Sequence, residues 1–418
     1  MPDPVAAESG ASGAPEVVAR ATFGQVFALG EFRALWAAQI LSVAGDQLAR
    51  VALTLLVFVH TRSALLAAVT FAASVVPTFV GGVLLAGLAD RMRRRELMIV
   101  CDLARALLVA VMALPGIPIA GLIALLFLVT LVGAPFSAAR AALYPDILQG
   151  DRYVLGTAVT LTTVQFAQVI GFATGGVLVG FFGVRTSLVV DAATFMLSAL
   201  FTLAWVHTRP AASSSSRTPS PSRAGAFTGV RLVFADARLR TPMLLAWLVA
   251  FTDIYEGVAA PLAKRAGAGP TAVGLILASG ALGATVGSLA FGRFVRPERR
   301  IQLMGPLAIA ACGVLVLFAV QPGLVVSLLV LGISGACCCY QLAANAAFVT
   351  AAPTKHRSQA FGVAQGGINL SAGTAMIVAG ALTDFFPPTL VLAGGGVLGV
   401  LAGLAIARTG PRTGETPL

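Results

Sequence analysis

Charge is what this sequence has least of. Lys, Arg, Asp and Glu make up 11% of its 418 residues, where a soluble domain carries about 25%, so the chain cannot cover a globular surface with solvated side chains. Histidine is scarcer still, with 3 residues: His60, His207 and His356 all fall at the ends of apolar runs, which argues against a buried imidazole relay. The 5 cysteines are Cys101, Cys312 and the run Cys337–Cys339, all inside apolar segments. Three adjacent residues on a helix point in different directions, so they neither bridge one another nor make a metal site; small packing residues is the reading they support. No Gly-rich loop ending in Gly-Lys-Ser/Thr occurs, which argues against nucleotide hydrolysis. With no Ser/His constellation either, neither an enzyme nor a cofactor is expected. Residues 1–24 hold Pro, Gly, Ser, Ala and acids but no apolar core, and read as a disordered cytoplasmic tail rather than a secretory signal.

What fills the chain instead is apolar sequence, 58% of it. Twelve runs reach the length needed to span a bilayer, at 34–59, 65–88, 97–114, 117–141, 157–180, 186–206, 241–263, 271–292, 301–320, 323–349, 359–383 and 387–407. The reading is an all-α membrane protein with twelve transmembrane helices. The formal net charge of +11 does not point to nucleic acid, because the basic residues sit in short loops between apolar runs, where membrane topology and anionic headgroups explain them. With both ends inside, only Arg62, Arg185, Lys264 and Arg265 fall on the outer side. An inverted orientation is therefore disfavoured, and a multi-pass protein of the cell membrane with cytoplasmic termini is expected.

A Ser/Pro/Arg-rich linker, 207–226, divides the chain into 25–206 and 227–407, each with six spans, and 408–418 forms a second tail. Phe227, Val230 and Phe234 recur at helical spacing beside Arg231 and Arg238, the pattern of a short helix lying on the membrane surface. The halves repeat. A near-constant shift superposes Arg33 on Arg240, Asp46 on Asp253, Val51-Ala52 on Val258-Ala259 and Pro115-Gly116 on Pro322-Gly323. It also sets Leu97-Met98 near Leu303-Met304, and Gly176, Leu178 and Phe181-Phe182 on Gly380, Leu382 and Phe385-Phe386. Two pseudo-symmetric six-helix bundles with a site between them near the midplane follow from such a repeat.

A charged side chain at the bilayer centre costs about 2.5–3.5 kcal/mol on the most lenient scale, so each one asks for a reason. Asp46 lies mid-way along the first span with Arg50 one turn on, and Gln39, Ser42 and Thr54 share that face. Its repeat partner Asp253 is followed by Glu256. These four are the candidates for proton or substrate coupling, because a carboxyl group in such surroundings can take up and release a proton. The alternative for the first pair is that Asp46 and Arg50 neutralise each other as i,i+4 neighbours. Gln165, Gln168, Gln341, Asn345, Gln365 and Asn369, with Gln39, could line a path or bond between helices. Gly171, Gly175 and Gly176 allow close helix contact. Asp191 and Asp384 fall near the outer surface, where solvation is expected.

One loop, Gly87–Arg95, sits between the second and third runs. With Ala86 it reads Ala-Gly-Leu-Ala-Asp-Arg-Met-Arg-Arg-Arg and resembles the signature of the major facilitator superfamily in its central Leu-Ala-Asp-Arg and closing basic pair, while Ala86 and Arg93 stand where that family has glycines. Phe32–Leu53, with Gly45-Asp46, and Ala139–Ile147, with Arg140 and Pro145-Asp146, look like the macrolide and enterobactin exporter branch of that superfamily, and the glycines from Gly171 resemble an antiporter motif in which a proline would stand at Phe172. The resemblance implies a facilitator fold working as a monomer by alternating access, with a small molecule and protons as partners besides membrane lipids. It implies efflux of a drug, antibiotic or siderophore, with an uptake carrier as the alternative. It also implies a cytoplasmic charge lock, read here onto Asp90, Arg91, Arg94, Arg95, Asp102, Arg105, Arg140 and Asp146. A plain positive-inside anchor is the competing reading of the arginines.

Overall fold

The computed structural model describes residues 22–85, 92–209, 230–353 and 357–409, and the regular structure among them is helical throughout. The long helices in chain order are α1 (Gly30–Thr61), α2 (Ala64–Gly82), α3 (Arg94–Met112), α4 (Ile119–Ile147), α5 (151–182), α6 (184–205), α7 (Ala237–Arg265), α8 (Pro270–Phe294), α9 (Pro297–Val320), α10 (Leu324–Ala351), α11 (Gln359–Thr383) and α12 (Pro388–Arg408). Counting α5 and α6 as one continuous run, ten helices among the described residues are long and apolar enough to cross a membrane. α3 is the one that carries more charge than that standard allows, with Arg94, Arg95, Glu96, Asp102 and Arg105 along its length. It begins at Arg94, three residues before the expected start.

The run Asp151–Trp205 is 55 residues long. Straight, at about 1.5 Å per residue, it would reach roughly 80 Å against a hydrocarbon core of about 30 Å. It is interrupted at Gly183, whose φ of 79° and ψ of 171° are open to glycine and scarcely to any other residue. One residue thus turns α5 into α6 with no loop.

Helices α1–α6 pack around cores that include Phe32, Leu35, Met98 and Phe136 toward one face, and Leu53, Val109, Leu126 and Phe195 toward the other. Helices α7–α12 do the same around Leu245, Ala308 and Tyr340, and around Val233, Met243 and Phe348. A short helix at 230–235 precedes α7; Val233 is buried in that last core, whereas Val230 and Phe234 are exposed. Phe227, the linker residues 210–229, Asp90, Arg91 and His356 lie outside the described residues.

The two groups of six meet where α2 faces α11 and α7, and where α5 faces α8. Small residues make the approach possible. A Cβ on Gly176 of α5 would stand 2.8 Å from Gly274 Cα on α8, and one on Gly380 of α11 would stand 2.9 Å from the Ala64 carbonyl of α2. Both contacts lie on the face opposite to the one that bears the described chain ends, and a mixed cluster of Phe58, Ala67, Phe71, Phe172, Val258, Ile276 and Met376 fills the seam above them. On that same face Asp384 reaches from the end of α11 to the start of α2, accepting from the amide of Ala64 at 2.6 Å and from the hydroxyl of Ser63 at 3.1 Å. Asp384 is exposed, as expected, and its carboxylate also caps a helix N-terminus in the other half, which the sequence reading missed.

Candidate functional site

Three helices break near mid-length. In α2 the helix stops at Ala72 and resumes at Val76; Pro77, in the resumed first turn, has no N–H to return to the carbonyl four residues back. In α7 the pieces are Ala237–Trp247, Val249–Thr252 and Ile254–Arg265, with Leu248 and Asp253 at the joints. In α10 they are Leu324–Cys337 and Tyr340–Ala351. Discontinuous helices in a membrane leave backbone polar groups that only a cavity or a neighbouring side chain can satisfy.

The α7 and α10 breaks border a cavity of about 260 Å³ whose walls include Gln165 and Gln168 of α5, Thr252, Asp253, Tyr255 and Glu256 of α7, Thr285 and Ser288 of α8, and Cys338 and Gln341 of α10. Its lining combines both halves and holds two carboxylates and no Lys, Arg or His. Asp253 and Glu256 are half-buried, and neither forms an ion pair among the described residues. The nearest polar contact to Asp253 is the Thr252 hydroxyl at 3.5 Å. Gln341 donates to the carbonyl of Ala246 at 3.3 Å, and the Cys338 thiol lies 3.6 Å from the Thr252 hydroxyl. This is a wall able to accept a proton or a cation.

The other half has its own polar pocket, about 190 Å³, lined by Gln39, Ser42, Asp46 and Arg50 of α1, Ser74 and Thr78 of α2, Arg105 of α3 and Ser137 of α4. Its acid is already matched. Arg105 grips Asp46 with Nη2 at 2.6 and 2.8 Å from the two carboxylate oxygens, and donates Nη1 to Ser42 at 3.0 Å. The guanidinium lies 4.0 Å over the Phe195 ring and 3.8 Å from Asp102, which accepts from Ser198 at 2.5 Å. The alternative of an Asp46–Arg50 pair does not occur: Arg50 points away, donating at 3.1 Å to the Ser74 carbonyl that the α2 break frees. It sits within electrostatic reach of Glu256 across the seam.

Asp102 and Arg105 are corrected as well. They are buried in this network rather than grouped with the loop arginines, because α3 turns them inward toward α1 and α6. Among the other residues read as a lock, Arg94 pairs with Asp146 at 2.5 Å and with the Ala142 carbonyl, and Arg95 bonds Thr208 and the Leu203 carbonyl. Arg140 is stacked 5.9 Å from the Phe136 ring, and its Nε and Nη1 have no hydrogen-bond partner among the described residues. Asn345, Gln365 and Asn369 line neither cavity. Gly171 and Gly175 serve packing of α5 on α1, against Ala44 and Leu48, and Gly176 serves the seam.

Two groups escaped the sequence reading. Asp191, expected in solvent, is fully buried on α6; its carboxyl rests against Gly45, and the glycine beside Asp46 was the available signal. Glu31 binds Arg209 through both oxygens, at 2.9 and 2.7 Å, and the amide of His207 at 2.7 Å, tying the start of α1 to the end of α6.

Comparison with known proteins agrees with this architecture. The family model described as Major Facilitator Superfamily matches residues 35–343 and 257–417. A search of curated proteins by sequence finds no match. Among solved structures, a mutant of the nucleoside transporter NupG superposes with a TM-score of 0.66 at 18% identity, covering 89% of this chain and 99% of its own. A POT family transporter in complex with 5-aminolevulinic acid gives 0.70 at 14%, covering 92% and 96%. A bacterial homolog of the human lysosomal transporter Spinster, inward-facing and unoccupied, gives 0.65 at 17%, covering 90% and 93%. At such identities the likeness is one of fold.

Proposed function

The chain belongs to the major facilitator superfamily, a multi-pass membrane transporter family, and from that premise we propose that it exports a small amphipathic compound in exchange for protons by alternating access. The observation that carries the reading is the pair Asp253 and Glu256 at a helix break, on the wall of a cavity shared by both halves, with no basic side chain in its lining. An unpaired carboxylate at that depth is costly, and the proton is the cheapest partner that can come and go. A cationic or hydrogen-bonding group of the solute would compete for the same oxygens, which is how exchange arises.

In this proposal α3 and both arms of the Asp151–Trp205 run count as spans, making twelve, and the face carrying the described chain ends is cytoplasmic because the basic loops lie there. Asp384 and the glycine contacts then seal the outer face, so the cavity exchanges with the cytoplasm in this state. Protonation of the acids and release of the seam would open the outer side. The arginines at the start of α3, paired with Asp146 and with the end of α6, steady the cytoplasmic end of the first bundle. The chain works as a monomer. A drug, an antibiotic or a siderophore fits the resemblance of Gly45-Asp46 and Arg140 to Asp146 to macrolide and enterobactin exporters.

One observation favours uptake of a polar solute instead: the cavity is small and lined mainly by hydrogen-bonding groups. The experiment is proton movement across proteoliposomes while ethidium, tetraphenylphosphonium, a macrolide and a catecholate siderophore are added in turn, wild type beside Asp253→Asn and Glu256→Gln. Export by exchange requires that at least one compound drives protons the opposite way and that the substitutions stop it. Movement of protons and solute in the same direction would favour uptake.

A further inference from the structure

Asp191 is fully buried among helices α1, α3 and α6. One of its oxygens lies 3.4 Å from the Thr194 hydroxyl and the other has no hydrogen-bond partner among the described residues. It fits there only because residue 45 is glycine: a Cβ at that position would collide with the carboxyl group. The charged groups that face it are Asp46 from α1 and Arg105 from α3; its own helix offers Thr194. Asp102, also on α3, faces Ser198 two turns further along α6 and takes the other side of Arg105, and Arg140 of α4 acts on Asp102. Three carboxyl groups, Asp46, Asp102 and Asp191, thus stand around Arg105, with Arg140 acting on Asp102 and Arg50 on the wall of the pocket that Asp46 lines. A fully buried ionised carboxylate is far too costly to persist unpaired, so Asp191 holds a proton for as long as no guanidinium turns to it. Arg105 already commits both contacts of one nitrogen to Asp46, which leaves Asp191 as the group without a cation.

We propose that Asp191 is a second proton-binding group, in the half opposite the acids of α7, and that Asp191 and Asp46 compete for the one guanidinium of Arg105. In the arrangement seen here the proton is on Asp191 and Arg105 is on Asp46. In the alternative, Asp191 gives up its proton and takes Arg105, while Asp46, which lines the pocket of its half, takes up a proton. One O–H bond breaks, one forms, and the charge of the cluster is unchanged. The buried proton is thus presented at a cavity wall by a shift of one side chain. Gly45 and Asp46 are neighbours on α1, so the residue that makes room for Asp191 adjoins the residue that exchanges with it.

Its use in transport rests on the proton-coupled reading above, but the bound proton does not, and it can be read without any solute. The measurement is infrared difference spectroscopy of the reconstituted full chain near neutral pH, following the carbonyl stretch of protonated carboxyl groups and its shift in D₂O. It is done in an Asp253→Asn, Glu256→Gln background so that the α7 acids are silent. A protonated aspartic acid band is expected there, and adding Asp191→Asn, which has the shape of the protonated acid, removes it. Asp46→Asn leaves Asp191 intact and also removes the band, because Arg105 then turns to Asp191 and ionises it; this variant serves if the first does not fold. Absence of the band, or its survival in Asp191→Asn, overturns the second site, and survival in Asp46→Asn overturns the competition. Proton flux that fails while the band behaves as expected would count against the transport reading alone.

Discussion

Asp46 and Asp253 occupy the same place in the two repeats, and the molecule treats them oppositely. Asp46 is gripped by both of its oxygens, by an arginine that three elements hold in place: Ser42, the Phe195 ring and Asp102. Asp253 sits at a helix joint with a hydroxyl 3.5 Å away and a second acid, Glu256, one turn on. A charge that is matched inside its own bundle needs nothing from outside; one that is not must be matched by something that arrives. The comparison places the acids open to an arriving partner in the second half, whereas in the first half Asp46 changes partner only by the proposed exchange with Asp191 over Arg105.

The sharpest way to break that comparison is to remove the cation. Arg105→Met strands Asp46 and Asp102, and losing one partner of a buried ion pair costs about 3–5 kcal/mol. A large fall in the thermal midpoint in detergent is expected, whereas Asp253→Asn, which strands nothing, leaves the midpoint unchanged or raises it. Equal losses would mean that the two halves are not different in kind. Next in size is the effect on coupling: Asp253→Asn and Glu256→Gln together reduce solute-driven proton flux to background, with the protein still folded. The seam comes third. Asp384 caps α2 across the halves, and losing a cap of that sort to alanine costs about 1 kcal/mol, so Asp384→Ala shifts the closed–open population by roughly fivefold. Spin labels at Leu66 and Leu382, both exposed, should separate in that variant. The equivalent seam, where Gly180 meets the Thr271 hydroxyl, has no such carboxylate, and labels there should report the same opening without being its cause. Smallest is Gln365→Ala, which lines neither cavity and should change stability by less than about 0.5 kcal/mol with flux intact.

Much of the architecture was legible in the apolar runs, because a bilayer imposes length and leaves helices as the simple way to satisfy the backbone. The repeat drew attention to Asp46 and Asp253 together, and each lies near the middle of its helix. What the sequence could not show was partner choice. Arg50 is nearer to Asp46 along the chain than Arg105, but Pro77 breaks α2 and frees a carbonyl that takes Arg50. Asp191 looked exposed because it follows the turn by a few residues, and a turn made by one glycine at 183 puts it deeper than a looped turn would. The cap that Asp384 places on α2 was not legible because its partner is the start of a helix some 320 residues earlier, a contact that no local pattern encodes. The loop that carries the family resemblance gave the strongest hint of identity.

The central claim is that the α7 acids carry the driving proton. It is tested most directly by comparing two modes of one protein: exchange of labelled for unlabelled solute across proteoliposomes with no proton gradient, and accumulation driven by an imposed gradient. The solute is whichever compound moves protons in the wild type. The account predicts that Asp253→Asn with Glu256→Gln keeps the exchange and loses the gradient-driven accumulation. Undiminished accumulation in that variant would contradict it.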